Sequence, residues 1–532
     1  MGVTAIIPAR AASKSIPNQN VRIVAGHPLV YYSIMKAKKS RYIDRVIVTT
    51  DSEDIGIIAN QLGVELWKRS DALSRDDVTI DAVVYDVVKN CVDSEYIVTL
   101  QPTSPLLSVD TLDNAFEYCF EKKLDSLVAV INDQRYSWVI DDNKRIPNYT
   151  RRVNREELPK NYLESGAFLI SKTCIVSQES RIGDNTDIYE IPRIESYGID
   201  SFENLQIVKY ILQSKKTAIY VNGNNMMGMG HIYRSLEIAD ELYSKPDIIY
   251  NSSITDVSVF GSTTHTLIKV DDEEELINKC KSEQYELFIN DVLDTSIDYM
   301  NRLRDVLPHT KIVNFEDAGD GILKADVVFN ALYNERVLPY VYSGEKYFII
   351  GRRFLYYEPI KIKDKVKNVF ISFGGADPSN YTERLLKIVS KENYSNVNFI
   401  VVVGRANKNY KKLLRYSNKN IKIEYDVTNM PELMSKCDFA ITSRGRTGFE
   451  LAYLGIPTIA IAQNHREEMH SFVSNENGFS YIGLNPSDSI IESNLQVYIN
   501  MSMEVRLEYQ KKLLSHDLRS GRTRVMGLIN YI

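Results

Sequence analysis

Short apolar runs alternate with amphipathic stretches along the N-terminal part of the chain, a pattern that predicts strands followed by helices. Residues 4–9 form an apolar run that ends in a polar loop, 10–20. Residues 29–39 carry helical spacing, 45–50 (RVIVTT) read as a strand, and 51–62 read as a helix with an acidic start. Residues 96–100 (YIVTL) and 126–131 (SLVAVI) are further buried strands. Strand runs separated by helical segments of about ten residues or more predict βαβ units and a mostly parallel sheet. Ligands on such sheets sit beyond the carboxyl ends of the strands, so the loops at Arg10, Asp51 and Gln101 are expected to line one crevice.

The pattern breaks at 213–216 (QSKK), after a helix that starts near Phe202, and restarts with a strand at 218–221. A Gly/Asn/Met-rich loop at 222–230 and a helix at 233–243 follow. A second restart comes after the lysine-rich stretch 360–367, with a strand at 368–373. These breaks predict a domain at 1–215 and a two-lobed unit whose lobes are 216–360 and 361–532, with a cleft between the lobes. No low-complexity tract or short-period repeat is visible.

Composition narrows the function classes. A chain of 532 residues is too long for one core, and 44% hydrophobic with 25% charged residues is ordinary for a folded soluble protein. The net charge of −6 argues against nucleic acid as a partner, while leaving room for small anionic ligands in a local basic pocket. Cys91, Cys119, Cys174, Cys280 and Cys437 are scattered, without metal-ligand or disulfide-framework spacing, which fits a reducing compartment. No run approaches the roughly 20 apolar residues a membrane helix needs, and the opening run lacks a basic region and cleavage site. The expectation is a cytoplasmic protein with no membrane and no nucleic-acid partner.

Two sets of loops carry candidate chemistry. The first, PARAASKSIPNQN at 8–20, follows a buried strand, and its small residues let backbone approach a ligand while Arg10 and Lys14 neutralise phosphate oxygens. Read with GHPLVYYSI, RVIVTTDSEDI, LQPTSPL, LPKNYLESGAFLI and IDSFENL, the first 212 residues resemble the CMP-sialic acid synthetase family of cytidylyltransferases, including those acting on bacterial nonulosonic acids. The resemblance implies a Rossmann-like nucleotidyltransferase fold and transfer of a cytidylyl group from CTP to a sugar acid, with Mg²⁺ as cofactor. It assigns CTP binding to Arg10, Ser13, Lys14, Asn20, Arg69 and Thr79, with Lys14 and Arg10 also catalytic. Gln101, Glu164 and Gly166 fall to the sugar pocket, and Asp200 to the metal. It also implies a homodimer through this domain. The sequence departs from the family pattern at Ala12 and Ser15, where glycines are usual, at Gln19 for a lysine, at Leu107 for an arginine, and at Gly198 for an aspartate.

The second set lies beyond residue 215. Gly228–Arg234 (GMGHIYR) closes a glycine loop at a helix start, a natural anion site, and His231 there suits general-base work. SFGGADP at 372–378 and TSRGRTGFE at 442–450 are each a strand, a glycine turn and a helix, the arrangement that seats a diphosphate on backbone N–H groups. Glu450, one residue into the predicted helix, is placed to accept hydrogen bonds from ribose hydroxyls. Together with LAYLGIP and AQNH these motifs resemble the pseudaminic-acid pathway UDP-sugar hydrolase family, which has the two-lobed glycosyltransferase-B fold. The resemblance implies that His231 activates a water to displace UDP with inversion. Gly230, Gly374, Gly375, Arg446, Thr447 and Glu450 would hold UDP, with Asn464 near the sugar. The usual glycine–serine–threonine loop is replaced by Arg444–Thr447, and His465 stands for a glutamine.

The fold expected is therefore α/β throughout, and the function a bifunctional nucleotide-sugar enzyme acting on CTP, a sugar acid and a UDP-sugar. Two alternatives stay open. The C-terminal unit shares its fold and nucleotide site with UDP-sugar glycosyltransferases, and the departures at Gln19, Leu107 and Gly198 leave room for a non-catalytic, regulatory N-terminal domain.

Overall fold

The computed structural model describes the chain apart from residues 1, 12, 14, 92, 225–228, 334–337 and 406. The chain divides into two compact units, Met1–Ser214 and Lys215–Ile532. Both are α/β.

In the first unit a seven-stranded sheet runs in the order Thr186–Glu190, Ser126–Asn132, Tyr162–Lys172, Tyr96–Leu100, Val3–Pro8, Arg45–Thr50, Glu65–Lys68. Every pairing is parallel except those of Tyr162–Lys172, which runs antiparallel to both neighbours. The central strands Val3–Pro8 and Tyr96–Leu100 are buried and largely apolar because both faces are covered. Ala5 and Ile7 join helices Leu29–Lys39 and Val109–Glu121 on one side, while Ile6, Ile47 and Ile97 meet Val84 and Val87 of helix Ile80–Cys91 on the other. From Val3–Pro8 the chain moves outward to one side, then returns to place Tyr96–Leu100 on the other. The carboxyl ends of these two strands thus form a topological switch point.

The second unit holds two all-parallel sheets. The first is ordered Thr266–Val270, Asp247–Asn251, Thr217–Val221, Leu287–Asp291, Lys311–Phe315, Val327–Asn330, Val341–Ser343. The second is ordered Ile421–Tyr425, Asn398–Val403, Asn368–Ser372, Phe439–Ser443, Thr458–Ala462, Phe479–Leu484. Each has its own switch point, after Val221 and Asp291 in one and after Ser372 and Ser443 in the other. A shared apolar cluster joins the lobes, with Phe348 stacked on Phe449 at a centroid distance of 4.1 Å.

Two elements differ from the sequence reading. The helix expected at 233–243 is Gly230–Ala239, so His231 lies inside its first turn. Met229 at its start makes no side-chain cap, and the usual polar start signal is therefore missing. The last helix, Gly521–Tyr531, returns from the second lobe to the first. Its Val525, Met526 and Ile529 enter the core of the first lobe, and Arg522 donates to Glu241 at 2.9 Å and to the Ile350 carbonyl at 3.0 Å. Among the described residues no helix is long and apolar enough to cross a membrane.

Candidate functional site

In the first unit the loop 10–20 is folded back across the switch point by its own polar groups. Ala11 N–H donates to Asp51 Oδ1 at 2.7 Å, Arg10 pairs with Asp76 at 2.7 Å, and Asn20 Nδ2 donates to the Arg10 carbonyl at 2.8 Å. Ser13 Oγ donates to Gln19 Oε1 at 2.8 Å, and the Gln19 amide donates to the Ile199 carbonyl. Ile199 N–H in turn donates to the Thr103 carbonyl at 2.8 Å. This chain of bonds draws three separate loops together and brings Asp200 to the same edge. Lys14 lies outside the described residues.

Arg69 is 6% exposed; its NH2 donates to the Thr49 carbonyl at 2.9 Å and its Nε has no partner. Burial lowers its pKa, the nearby Arg10 adds to this, and Asp51 opposes both. A buried guanidinium with an unspent donor near Arg10 has the chemistry to receive an anion. Thr79 is exposed and accepts from Ala82 N–H at 3.2 Å, capping helix Ile80–Cys91.

Gln101 follows strand Tyr96–Leu100. Because Phe168 pairs with Leu100 in antiparallel register, Gly166 and Glu164 continue past the end of that strand. Gly166 has φ +71°, and a Cβ there would stand 3.4 Å from Gln101 Nε2. The sequence reading missed what holds this loop. Ser33 Oγ donates to the Gln101 carbonyl at 3.1 Å and Lys36 Nζ to the Pro105 carbonyl, both from helix Leu29–Lys39. Burial pulls the Lys36 ammonium down to about 7, against the pull of Glu195.

Asp200 is exposed, and one of its oxygens accepts from Asn204 Nδ2 at 2.7 Å. Among the described residues no group of three His, Cys, Asp or Glu side chains is placed to hold a metal ion. A lone carboxylate fits Mg²⁺ only where phosphate oxygens and water complete the shell, as Mg²⁺ commonly accepts. Two of the departures from the family pattern have structural work. Gln19 is buried as the tie between Ser13 and Ile199, and Leu107, 2% exposed, belongs to the main core.

In the second unit the first-lobe switch point assembles a charged cluster. His231 Nδ1 lies 2.5 Å from Asp291 Oδ1. Arg234 grips the same carboxylate, Nε to Oδ2 at 2.9 Å and NH2 to Oδ1 at 2.5 Å, and Ser235 Oγ donates to Oδ2 at 3.1 Å. Burial opposes ionisation of Asp291, but Arg234 and then His231 outweigh it and hold the carboxyl down at about 2. An ionised Asp291 can only accept, so the hydrogen of this bond sits on Nδ1 and Nε2 is the ring nitrogen left for a proton; Arg234 NH2 also lies 3.2 Å from Nδ1. Arg234 NH1 reaches Glu316 Oε1 at 3.1 Å. Asp291, Arg234 and Glu316 were not singled out from the sequence. The available signals were Arg234 three residues beyond His231 on one helix face, and carboxylates closing the apolar runs LFIND and KIVNFE.

The second lobe places its loops at its own switch point. Gly374 has φ +74°, and Gly404 packs so tightly beneath that a Cβ on it would lie 2.5 Å from the Gly374 carbonyl. The helix expected to begin just before Glu450 begins at Arg446, so Thr447 lies in its first turn and Glu450 in its second. Arg446 passes over Gly230, where a Cβ would meet its Cδ at 2.6 Å, and stacks on Phe348 at 4.6 Å. Its NH1 is buried without a partner, and burial pulls its pKa down to about 10, with Arg234 adding to the effect. Burial pushes the Glu450 carboxyl up to about 7, against the pull of Arg446. Arg444 turns instead into the structure, donating to the carbonyls of Val473 and Glu468 at 2.9 Å each. Asn464 is exposed and caps helix His465–Glu468, accepting from Glu467 N–H at 2.9 Å.

The structure thus gathers Arg10, Ser13, Asn20, Gln101, Gly166 and Asp200 in one unit and His231, Gly230, Arg446, Thr447 and Glu450 in the other. Comparisons with known proteins give the following similarities. A Methanocaldococcus jannaschii uncharacterized protein is 32% identical over 279 residues, covering 47% of this chain and 56% of that protein. The chain therefore spans a little over half the length of that relative. The pseudaminic acid cytidylyltransferase of Campylobacter jejuni is 27% identical over 218 residues, 39% of this chain and 94% of that enzyme. Among solved structures, MurG of Acinetobacter baumannii aligns over 60% of this chain and all of that one, at 13% identity and a TM-score of 0.45. Residues 4–167 match the cytidylyltransferase family, a stretch that lies within the first unit.

Proposed function

We propose that the chain is a bifunctional nucleotide-sugar enzyme of nonulosonic acid biosynthesis. In the first unit the anomeric hydroxyl of a sialic-, pseudaminic- or legionaminic-type acid attacks the α-phosphorus of CTP, and pyrophosphate leaves. The observation that carries this reading is the folded-back loop 10–20 beside the buried, incompletely satisfied Arg69, in a segment that matches the cytidylyltransferases. Arg10, Ser13, Lys14, Asn20, Arg69 and Thr79 bind the nucleotide, while Gln101, Glu164 and Gly166 seat the acid. Positioning and charge neutralisation carry the catalysis. Asp200 would hold Mg²⁺, which supplies further neutralisation of phosphate charge when bound. Pyrophosphate release that depends on both CTP and a nonulosonic acid tests this half; release without an acid, or none at all, would count against it.

In the second unit His231 Nε2 takes a proton from water as its oxygen attacks the anomeric carbon of a UDP-linked deoxy-diacetamido sugar, and UDP leaves with inversion. The 2.5 Å contact between His231 and Asp291 carries this part, since it orients the ring and stabilises the imidazolium formed. Gly230, Gly374, Gly375, Arg446 and Thr447 bind the diphosphate, Glu450 the ribose, and Asn464 borders the sugar. Incubation of UDP-sugar in H₂¹⁸O is the test. Label in the free sugar supports hydrolysis; no free sugar without an added acceptor would favour a glycosyltransferase.

The proposal includes a homodimer through the first unit. Its exposed hairpin of strands Trp138–Asp141 and Lys144–Pro147 leaves Trp138 59% and Ile140 73% accessible. Sedimentation of Ile140→Asp against the wild type measures this, a monomeric wild type being the contrary result.

A further inference from the structure

The charged cluster behind His231 contains a residue with no role in the chemistry described so far. Glu316 follows strand Lys311–Phe315, is 3% exposed, and adopts φ +52°, a left-handed backbone that a non-glycine side chain rarely keeps unless its surroundings fix it. Its Oε1 accepts from Arg234 NH1 at 3.1 Å and its Oε2 from Leu332 N–H at 3.2 Å. Both oxygens are acceptors; burial pushes the carboxyl up, while Arg234 and then Arg446 pull it back toward the ionised form.

Arg234 is consequently divided between two carboxylates. Its Nε and NH2 face Asp291 and its NH1 faces Glu316. With Arg234 paired to Asp291 alone, the guanidinium would cancel the charge that His231 needs behind it. With Glu316 present, Arg234 is shared between two carboxylates, so it cancels less of the Asp291 charge that faces the imidazole.

We propose that Glu316 is a positioning residue for water activation: by occupying the far side of Arg234 it keeps the Asp291 carboxylate effectively uncancelled toward His231. The inference rests on the reading of His231 as general base and adds the group that sets its strength. The other charges around the cluster are consistent with this. From the second lobe Arg446 opposes Glu316, with Glu450 one turn further along the same helix. Arg466 is occupied by Asp294 at 2.8 and 3.0 Å and by the Glu316 main-chain carbonyl at 3.3 Å, and it lies over Tyr333 at 5.4 Å.

The test is a titration of His231 in full-length protein carrying ¹³C-labelled histidine, without substrate, its signal assigned through His231→Gln. Glu316→Gln keeps the shape and an acceptor oxygen but removes the charge. In that variant the titration midpoint is expected to fall by about one pH unit, a tenfold loss of proton affinity. The acid limb of the pH–rate profile should move with it. An unchanged midpoint in folded Glu316→Gln overturns the proposal. Should that variant fail to fold, Arg446→Gln gives the same information with opposite sign: removing Glu316's counter-charge should raise the midpoint, and no rise would overturn the proposal. Because the titration needs no turnover, a missing hydrolase activity alongside the expected shift would sink the hydrolase reading alone.

Discussion

Asp291 Oδ1 stands 2.5 Å from His231 Nδ1 while Arg234 holds both oxygens of the same carboxylate. The imidazole is thereby fixed in orientation, and the carboxylate favours the tautomer with its hydrogen on Nδ1. Asp291→Asn keeps the shape but no longer enforces the tautomer that leaves Nε2 unprotonated. Hydrolysis of the UDP-sugar is expected to fall by roughly 10²–10⁴-fold in kcat with little change in KM. Steady-state kinetics of the variant checks this, and a change confined to KM would argue for a binding role.

Gln19 ties loop 10–20 to the Ile199 carbonyl and to Ser13. Gln19→Ala removes both bonds and leaves buried partners unmet, for a cost of about 1–2 kcal/mol. The loop proposed to hold the nucleotide loosens with it, so KM for CTP is expected to rise more than the KM for the sugar acid. Thermal unfolding and paired KM measurements test both parts.

Leu107 stands where the resembling family has an arginine, yet it is packed in the core of the first unit. Leu107→Arg should therefore not restore a missing cation. An unpaired guanidinium forced into that core is expected to cost about 3–5 kcal/mol, seen as a fall in Tm with no gain in cytidylyl transfer.

The second unit should weaken in mild acid through His470. Burial pulls this imidazole down to about 4, and its Nδ1 lies 2.6 Å from the Arg444 carbonyl. The unfolded chain takes up the proton near 6.5, where the folded state still excludes it. Stability is thus fully present above about pH 6.5 and is lost as pH falls toward 4, by up to about 3 kcal/mol. His470→Gln should flatten the pH dependence of urea midpoints between those values.

Much of this arrangement was legible in the sequence. Strands such as Arg45–Thr50 and Tyr96–Leu100 announce themselves because sheets covered on both faces require unbroken apolar runs. The glycine loops at 374–375 and 445 follow such runs and so mark the ligand edge. Partners brought in from distant strands were less visible. Nothing local in LFIND says that Asp291 will meet His231 sixty positions earlier, and Lys36 looks like any surface lysine until Pro105 is placed against it. The start of helix Gly230–Ala239 was misplaced because it has no polar cap, and the return of Gly521–Tyr531 to the first lobe is a long-range packing choice.

The central claim is that the first unit makes a CMP-sugar, and mass spectrometry of the products formed by the full chain from CTP, Mg²⁺ and a panel of nonulosonic acids tests it most directly. The account predicts one CMP-linked acid, formed by the wild type and lost in Arg69→Met, which removes the buried guanidinium proposed to bind the nucleotide. Folded protein that yields no CMP-sugar from any acid would contradict it and leave the first unit as a binding module.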